Sequence, residues 1–147
     1  MNYNNKSEIL KRANFLLKDG VKNRESMFHT PIISSFSYQN ISSRVMVLRA
    51  HNATQRTMRF HSDFRSDKVK EMLDDPRTSI IAYDPALKTQ IRLVGKSKIH
   101  HNNKNSLKAW DESQAISKKC YSVKDGSSQK AEKPEIYDFH IKDIKLE

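Results

Sequence analysis

Two stretches decide the fold: Ser43-Arg44-Val45-Met46-Val47-Leu48-Arg49 and, shortly after, Phe60-His61-Ser62-Asp63-Phe64-Arg65-Ser66-Asp67-Lys68. The first is an apolar strand with an arginine near each end. The second is a strand that runs into a helix, and the first turn of that helix carries Arg65, Ser66 and Lys68. A helix dipole disfavours cations at its N-terminus and favours an anion there. Basic and hydroxyl side chains crowded onto that turn therefore point to a bound anion. A phosphate held by free backbone N–H groups and these side chains fits best.

Outward from this centre, the pattern predicts an amphipathic helix from Ser7 to about Lys18, with Ile9, Leu10, Ala13, Leu16 and Leu17 at helical spacing and Gly20 as its stop. Met27–Ser37 is rich in β-branched and aromatic residues, and Pro31 places this strand near an edge. Strands over Ser43–Ala50 and Thr57–Ser62 complete an antiparallel meander. A short helix, Ser66–Leu73, carries one apolar stripe of Val69, Met72 and Leu73. Strands follow at Thr78–Tyr83 and Thr89–Ile99. In the second of these, Ile91, Leu93 and Gly95 share one face while Gln90, Arg92 and Val94 share the other. A helix from Asn103 to about Tyr121, a polar loop over 122–135 and a last strand from Ile136 to about Leu146 complete the reading. One domain, 1–121 with 136–147, is expected around that loop. Short antiparallel strands with few helices suggest a barrel or sandwich. No Gly-rich loop follows a strand, which argues against a parallel nucleotide-binding fold.

Composition sets the partners this chain can have. The formal charge of +10 suits phosphorylated ligands, nucleic acid or an anionic surface. The lysines are spread rather than blocked, which weakens the nucleic-acid reading. No apolar run reaches the roughly 20 residues of a membrane span. The N-terminus does not resemble a signal peptide, and the single cysteine, Cys120, is consistent with a reducing cytosol. A cytoplasmic protein is expected. His100 and His101 point to opposite faces of an extended segment, which suits a surface pair better than a metal site. Trp110 reads as a core anchor.

The motifs together resemble the pyridoxamine 5'-phosphate oxidase family. They are Arg44-x-Val-x-Leu-Arg49, Phe60-x-Ser62-Asp63-x-Arg65-Ser66-x-Lys68, Asp75-Pro76 and Gln90-x-Arg92-x-x-Gly95, in that order over about residues 27–100. The resemblance implies an antiparallel, mainly β (α+β) fold, the FMN-binding split β-barrel, with flanking helices and Greek-key-like connections. It implies an FMN site in which Arg44 contacts the phosphate together with Ser62, Arg65 and Lys68. Backbone groups of Val45, Met46, Val47 and Leu48 would lie along the flavin ring. Arg49 would stand near the ring and the substrate, His61 beside the cofactor, and Gln90 at the polar edge of the isoalloxazine. It implies a homodimer whose interface completes the site.

The chain departs from the family's oxidases in places. It has His61 and Ser62 where they usually carry an aromatic residue and threonine, and Asp67 where they often have a second basic residue. The later helix reads Trp110-Asp111-Glu112-Ser113-Gln114 in place of the tyrosine, arginine and serine that recognise the substrate phosphate. The oxidases' C-terminal tryptophan, arginine and histidine have no counterpart before Glu147. The resemblance thus implies FMN binding with the substrate left open. Three functions compete: an FMN-dependent oxidoreductase acting on a small substrate, a non-catalytic flavin-binding protein on the same fold, and a basic nucleic-acid-binding barrel. The first is preferred.

Overall fold

A computed structural model describes residues 5–38 and 40–122. The first helix, α1 (Lys6–Lys22), starts where the Asn5 side chain accepts the N–H groups of Ser7 and Glu8 at 3.0 and 3.3 Å. It buries Leu16 and Leu17, while Ile9 and Leu10 stay exposed. Gly20 does not stop this helix. A Cβ there would lie 2.7 Å from the Phe28 carbonyl carbon and oxygen, so glycine is required for close approach and the helix continues two residues beyond it.

The strands are β1 (Ile32–Ser37), β2 (Asn40–Val45), β3 (Leu48–Asn52), β4 (Thr57–Phe60), β5 (Arg77–Asp84) and β6 (Thr89–Lys96). They form a four-stranded antiparallel sheet in the order β2-β1-β5-β6 and a two-stranded antiparallel sheet, β3-β4. The strand expected over Ser43–Ala50 is therefore split at Met46-Val47, and its halves belong to different sheets. The chain does not simply peel away at that corner. Met46 N–H donates to the Pro31 carbonyl at 3.1 Å and Leu48 N–H to the His29 carbonyl at 2.8 Å. Those bonds carry the β1–β2 pairing round the bend, as strands do when they pass from one sheet to the next. Pro31 is buried just before β1, and β1 lies inside the sheet rather than at its edge. Proline is tolerated at that position because the ladder has not yet begun. Nor do the strands make one meander, since β5 returns to pair with β1.

Alternation divides the large sheet cleanly. Ile33, Ser35, Thr78, Ala82 and Ile91 are buried, while Ile32, Phe36, Tyr83 and Val94 on the opposite face are exposed. The helix α2 (Asp67–Asp74) packs on the buried side against β1, with Val69 and Met72 inward. Leu16, Leu17, Phe28, Leu48, Ala82 and Ile91 form the main core, flanked by Ala13, Val21, Met58, Phe60 and Leu93.

The helix expected over Asn103–Tyr121 is two helices, α3 (Lys104–Asp111) and α4 (Ala115–Lys119). Asn103 and Ser106 cap the first reciprocally. Ser113 then back-bonds the Ala109 carbonyl at 2.7 Å and Gln114 adopts extended backbone, which breaks the run. The expected last strand and residues 123–135 of the expected loop lie outside the described residues. The architecture is α+β, with antiparallel sheets and flanking helices. Among the described residues no helix is long and apolar enough to cross a membrane.

Candidate flavin site and adjoining cleft

The β1–β2 register aligns Ile33 with Arg44 and Ser35 with Ser42, so these four residues share the face that α2 covers. Arg44 reaches under α2. Its Nη1 donates to Ser35 Oγ at 2.5 Å, and its Nη2 donates to Ser42 Oγ and Glu71 Oε2, both at 2.6 Å. Ser35 Oγ also donates to Glu71 Oε2 at 2.7 Å. This pair is largely out of water, its side chains being 17% and 11% exposed.

Lys68, in the first turn of α2, stands close enough to Arg44 for repulsion to register. Burial, and then the Arg44 charge, push the Lys68 ammonium below the usual lysine range, while Asp63, Glu71 and Asp67 oppose the shift. Two cations held close and half-buried make a place where an arriving anion gains. At the helix start, Ser66 is fully buried, and its Oγ donates backwards to the Asp63 carbonyl at 2.6 Å. It makes no side-chain cap bond to the helix, so it leaves the α2 N-terminus to another acceptor. Ser62 Oγ lies 3.1 Å from Ser66 Oγ. Arg65 is engaged by Asp63 in a bidentate pair and reaches the Tyr121 carbonyl at 3.4 Å. That arginine holds the Asp63 carboxyl below the usual carboxylate range.

Arg49 and His61 stand in a different place. They line a cleft of about 280 Å³ together with Val21, Lys22, Arg24, His29, Arg59, Glu112, Ser113 and Gln114 among others; neither Arg44 nor Lys68 lines it. Among the described residues the buried Nε2 of His61 has no hydrogen-bond partner. Burial lowers the His61 pKa, and the charges of Arg59 and Arg49 lower it further, against Glu112.

The expected ring-contact run divides by backbone geometry. Met46 and Leu48 give their N–H groups to protein carbonyls, and the Leu48 side chain is fully buried in the core. Val45 is exposed on the outer face, with Met46 and Val47 half-buried at the corner. Gln90 pairs with Tyr83 at the start of β6 and is exposed. It alternates with Ile91, which puts it on the outer face, opposite Arg44. The structure thus joins Arg44 to Lys68 and Arg49 to His61, and sets Gln90 apart from both pairs.

The sequence reading missed the ring around each pair. Ser42 lies directly across from Ser35 once the hairpin register is known, and Glu71 lies one helical turn after Lys68. Arg59 stands two residues before His61 on extended chain, a same-face spacing that was visible in the sequence. Lys22 ends α1 and Arg24 and His29 follow it in the chain, and all three line the cleft, a placement that local sequence does not reveal.

A family model described as pyridoxamine 5'-phosphate oxidase, FMN-binding domain, matches residues 14–101, and the chain belongs to that family. FMN is its cofactor. The solved structures agree on the fold. A pyridoxamine 5'-phosphate oxidase-related, FMN-binding protein from Nostoc punctiforme superposes with a TM-score of 0.62 at 15% identity, over 90% of this chain and 69% of that one. PhzG from Burkholderia lata, solved with tetrahydrophenazine-1-carboxylic acid, superposes with a TM-score of 0.63 at 18% identity, over 86% of this chain and 60% of that one. No curated protein matches by sequence.

The donor set fits the cofactor's phosphate. Arg44 and Lys68 supply positive charge, Ser62 a hydroxyl, and the start of α2 an electropositive end with no side-chain cap.

Proposed function

We propose that this chain is a cytoplasmic FMN-dependent oxidoreductase that acts on a small molecule as a homodimer. The observation that carries the reading is the Arg44–Lys68 pair at the uncapped start of α2. A phosphomonoester near two negative charges relieves the repulsion between those side chains. In this reading Lys68 and Arg44 hold the FMN phosphate, with Ser62 donating and Arg65 keeping Asp63 turned away from the anion. Glu71 fixes the Arg44 guanidinium before any ligand arrives, so little ordering remains to be done on binding.

FMN, when bound, supplies the acceptor and donor of electrons; the chain supplies position and field. Arg49 and His61 would stand at the ring end of the site, where Arg49 favours negative charge on the flavin and His61 can move a proton at Nε2. The outer sheet face, with Ile32, Phe36, Ile41, Val45 and Val94 exposed, supports a second copy as its cover. Gln90 lies on that same face, which suits a flavin edge reached across the interface. Anaerobic mixing of the FMN-loaded protein with a hydride donor tests the oxidoreductase reading. Bleaching that reverses with an acceptor supports turnover; a flavin that stays oxidised with every donor leaves a non-catalytic flavin-binding protein.

A further inference from the structure

The first two turns of α1 bury nothing. Every residue from Lys6 to Arg12 is exposed, and the helix first meets the fold at the half-buried Ala13 and Asn14. There Asn14 Oδ1 lies 2.9 Å from His51 Nε2 on β3, the strand on which α1 packs. The amide oxygen only accepts, so Nε2 carries the proton of this bond. In the neutral ring Nδ1 is then a bare lone pair, and among the described residues that buried atom has no hydrogen-bond partner.

A second imidazole holds the other half of the helix. His29 Nδ1 lies 2.6 Å from the Gly20 carbonyl, which also only accepts, so this nitrogen keeps its proton whether the ring is neutral or charged. The close approach of Gly20 to Phe28 anchors the same turn. The two contacts therefore answer acid differently. A proton added to His29 goes to its other nitrogen and leaves the bond to Gly20 standing. A proton added to His51 goes to Nδ1, which makes a charged ring with a buried donor, and such a group is costly without compensation.

We infer that the His51–Asn14 contact is a proton-operated clasp: charging the His51 ring releases the first two turns of α1 from β3, while His29 and Phe28 keep the C-terminal half in place. Burial lowers the His51 pKa from its usual 6.5, and the Thr57 backbone opposes the shift without cancelling it. The charged side chains on the elements around the ring are Arg49 on its own strand, Arg59 on β4, and Lys11 and Lys18, one turn either side of Asn14 on α1. The shift comes from burial and not from those charges. The docked helix favours the neutral ring. Docking is thus unpenalised above 6.5 and weakens as pH falls from there through the lower, docked value. The clasp rests on the fold alone and stands or falls without the flavin.

Hydrogen exchange of the full chain at about pH 7.5 and about pH 5.5, corrected for the intrinsic rate, tests this. Protection of the amides from Leu10 to Asn14 should fall, by at most about tenfold per pH unit, the limit for one proton. Those from Lys18 to Lys22 should hold. His51→Gln, whose amide still donates to Asn14 but takes no proton, should keep both sets protected at both pH values. Asn14→Ala should leave the first set unprotected throughout. Followed by NMR, the His51 ring should titrate below 6.5 in the native chain and closer to it in Asn14→Ala. Protection of Leu10 to Asn14 that ignores pH, a loss that persists in His51→Gln, a loss shared equally by Lys18 to Lys22, or a His51 ring that titrates at or above 6.5 overturns the inference.

Discussion

Arg44 Nη2 on β2 and Glu71 Oε2 on α2 are 2.6 Å apart, and Ser35 Oγ bonds to both partners. This contact joins the sheet to the helix that carries Lys68, so the anion site and the fold share one joint. Removing one partner of a largely buried pair leaves the other charge without compensation. We predict that Glu71→Ala destabilises the protein by roughly 3 kcal/mol in urea unfolding, and that Glu71→Gln loses less. FMN should recover part of the loss in both variants, because its phosphate supplies Arg44 with a replacement anion.

Gly20→Ala tests the close approach of α1 to Phe28. The new methyl would sit 2.7 Å from Phe28 backbone atoms, which cannot swing aside as a side chain could. A loss of about 1–3 kcal/mol is expected, read as a lower denaturation midpoint with an unchanged slope. Unchanged stability would show that this contact is looser than described.

The lowered pKa of Lys68 gives FMN binding a pH signature. Its ammonium is harder to keep in the folded protein than in the unfolded chain. Folding is therefore penalised at neutral pH, and the penalty lifts as pH rises through the folded pKa, below the ordinary lysine value of 10.5. In the ligand-free protein, stability should rise over that alkaline window. FMN affinity should fall over the same window, since the neutral amine no longer attracts phosphate. Lys68→Arg, which keeps its charge at high pH, should remove both trends.

The exposed outer face makes the dimer testable. Val94 is 83% exposed and Ile41 70%, on the two edge strands of one sheet face. Val94→Asp with Ile41→Lys should shift sedimentation toward monomer and weaken FMN binding, while leaving the far-ultraviolet spectrum unchanged. A dimer that survives both substitutions would place the interface elsewhere.

Much of this architecture was legible in the sequence because its signals are local. Alternation in Thr89–Ile99 assigned Ile91 and Leu93 inward and Gln90 and Arg92 outward, as found. The start of α2 was legible from Ser66 and its flanking charges. What the sequence hid depends on distant partners. The corner at Met46-Val47 lies within an unbroken apolar run, and only the bonds to Pro31 and His29 bend it. Gly20 reads as a stop because Phe28 cannot be seen from its neighbours. The site divided the same way. The motifs carried Arg44 and Lys68, whose charges are felt by one another, but Glu71 and the cationic cleft arise where α1, α2 and α3 meet the sheets.

The FMN reading rests on Arg44 and Lys68 as the residues that hold the phosphate. The most direct measurement compares FMN with riboflavin, which lacks the phosphate, by flavin-fluorescence titration of the protein and of Lys68→Gln with Arg44→Gln. The native protein should prefer FMN by about a hundredfold or more, the worth of two charge-assisted contacts, and the double variant should bind both flavins equally weakly. A preference for FMN that persists in the variant would contradict the account and put the phosphate on other residues.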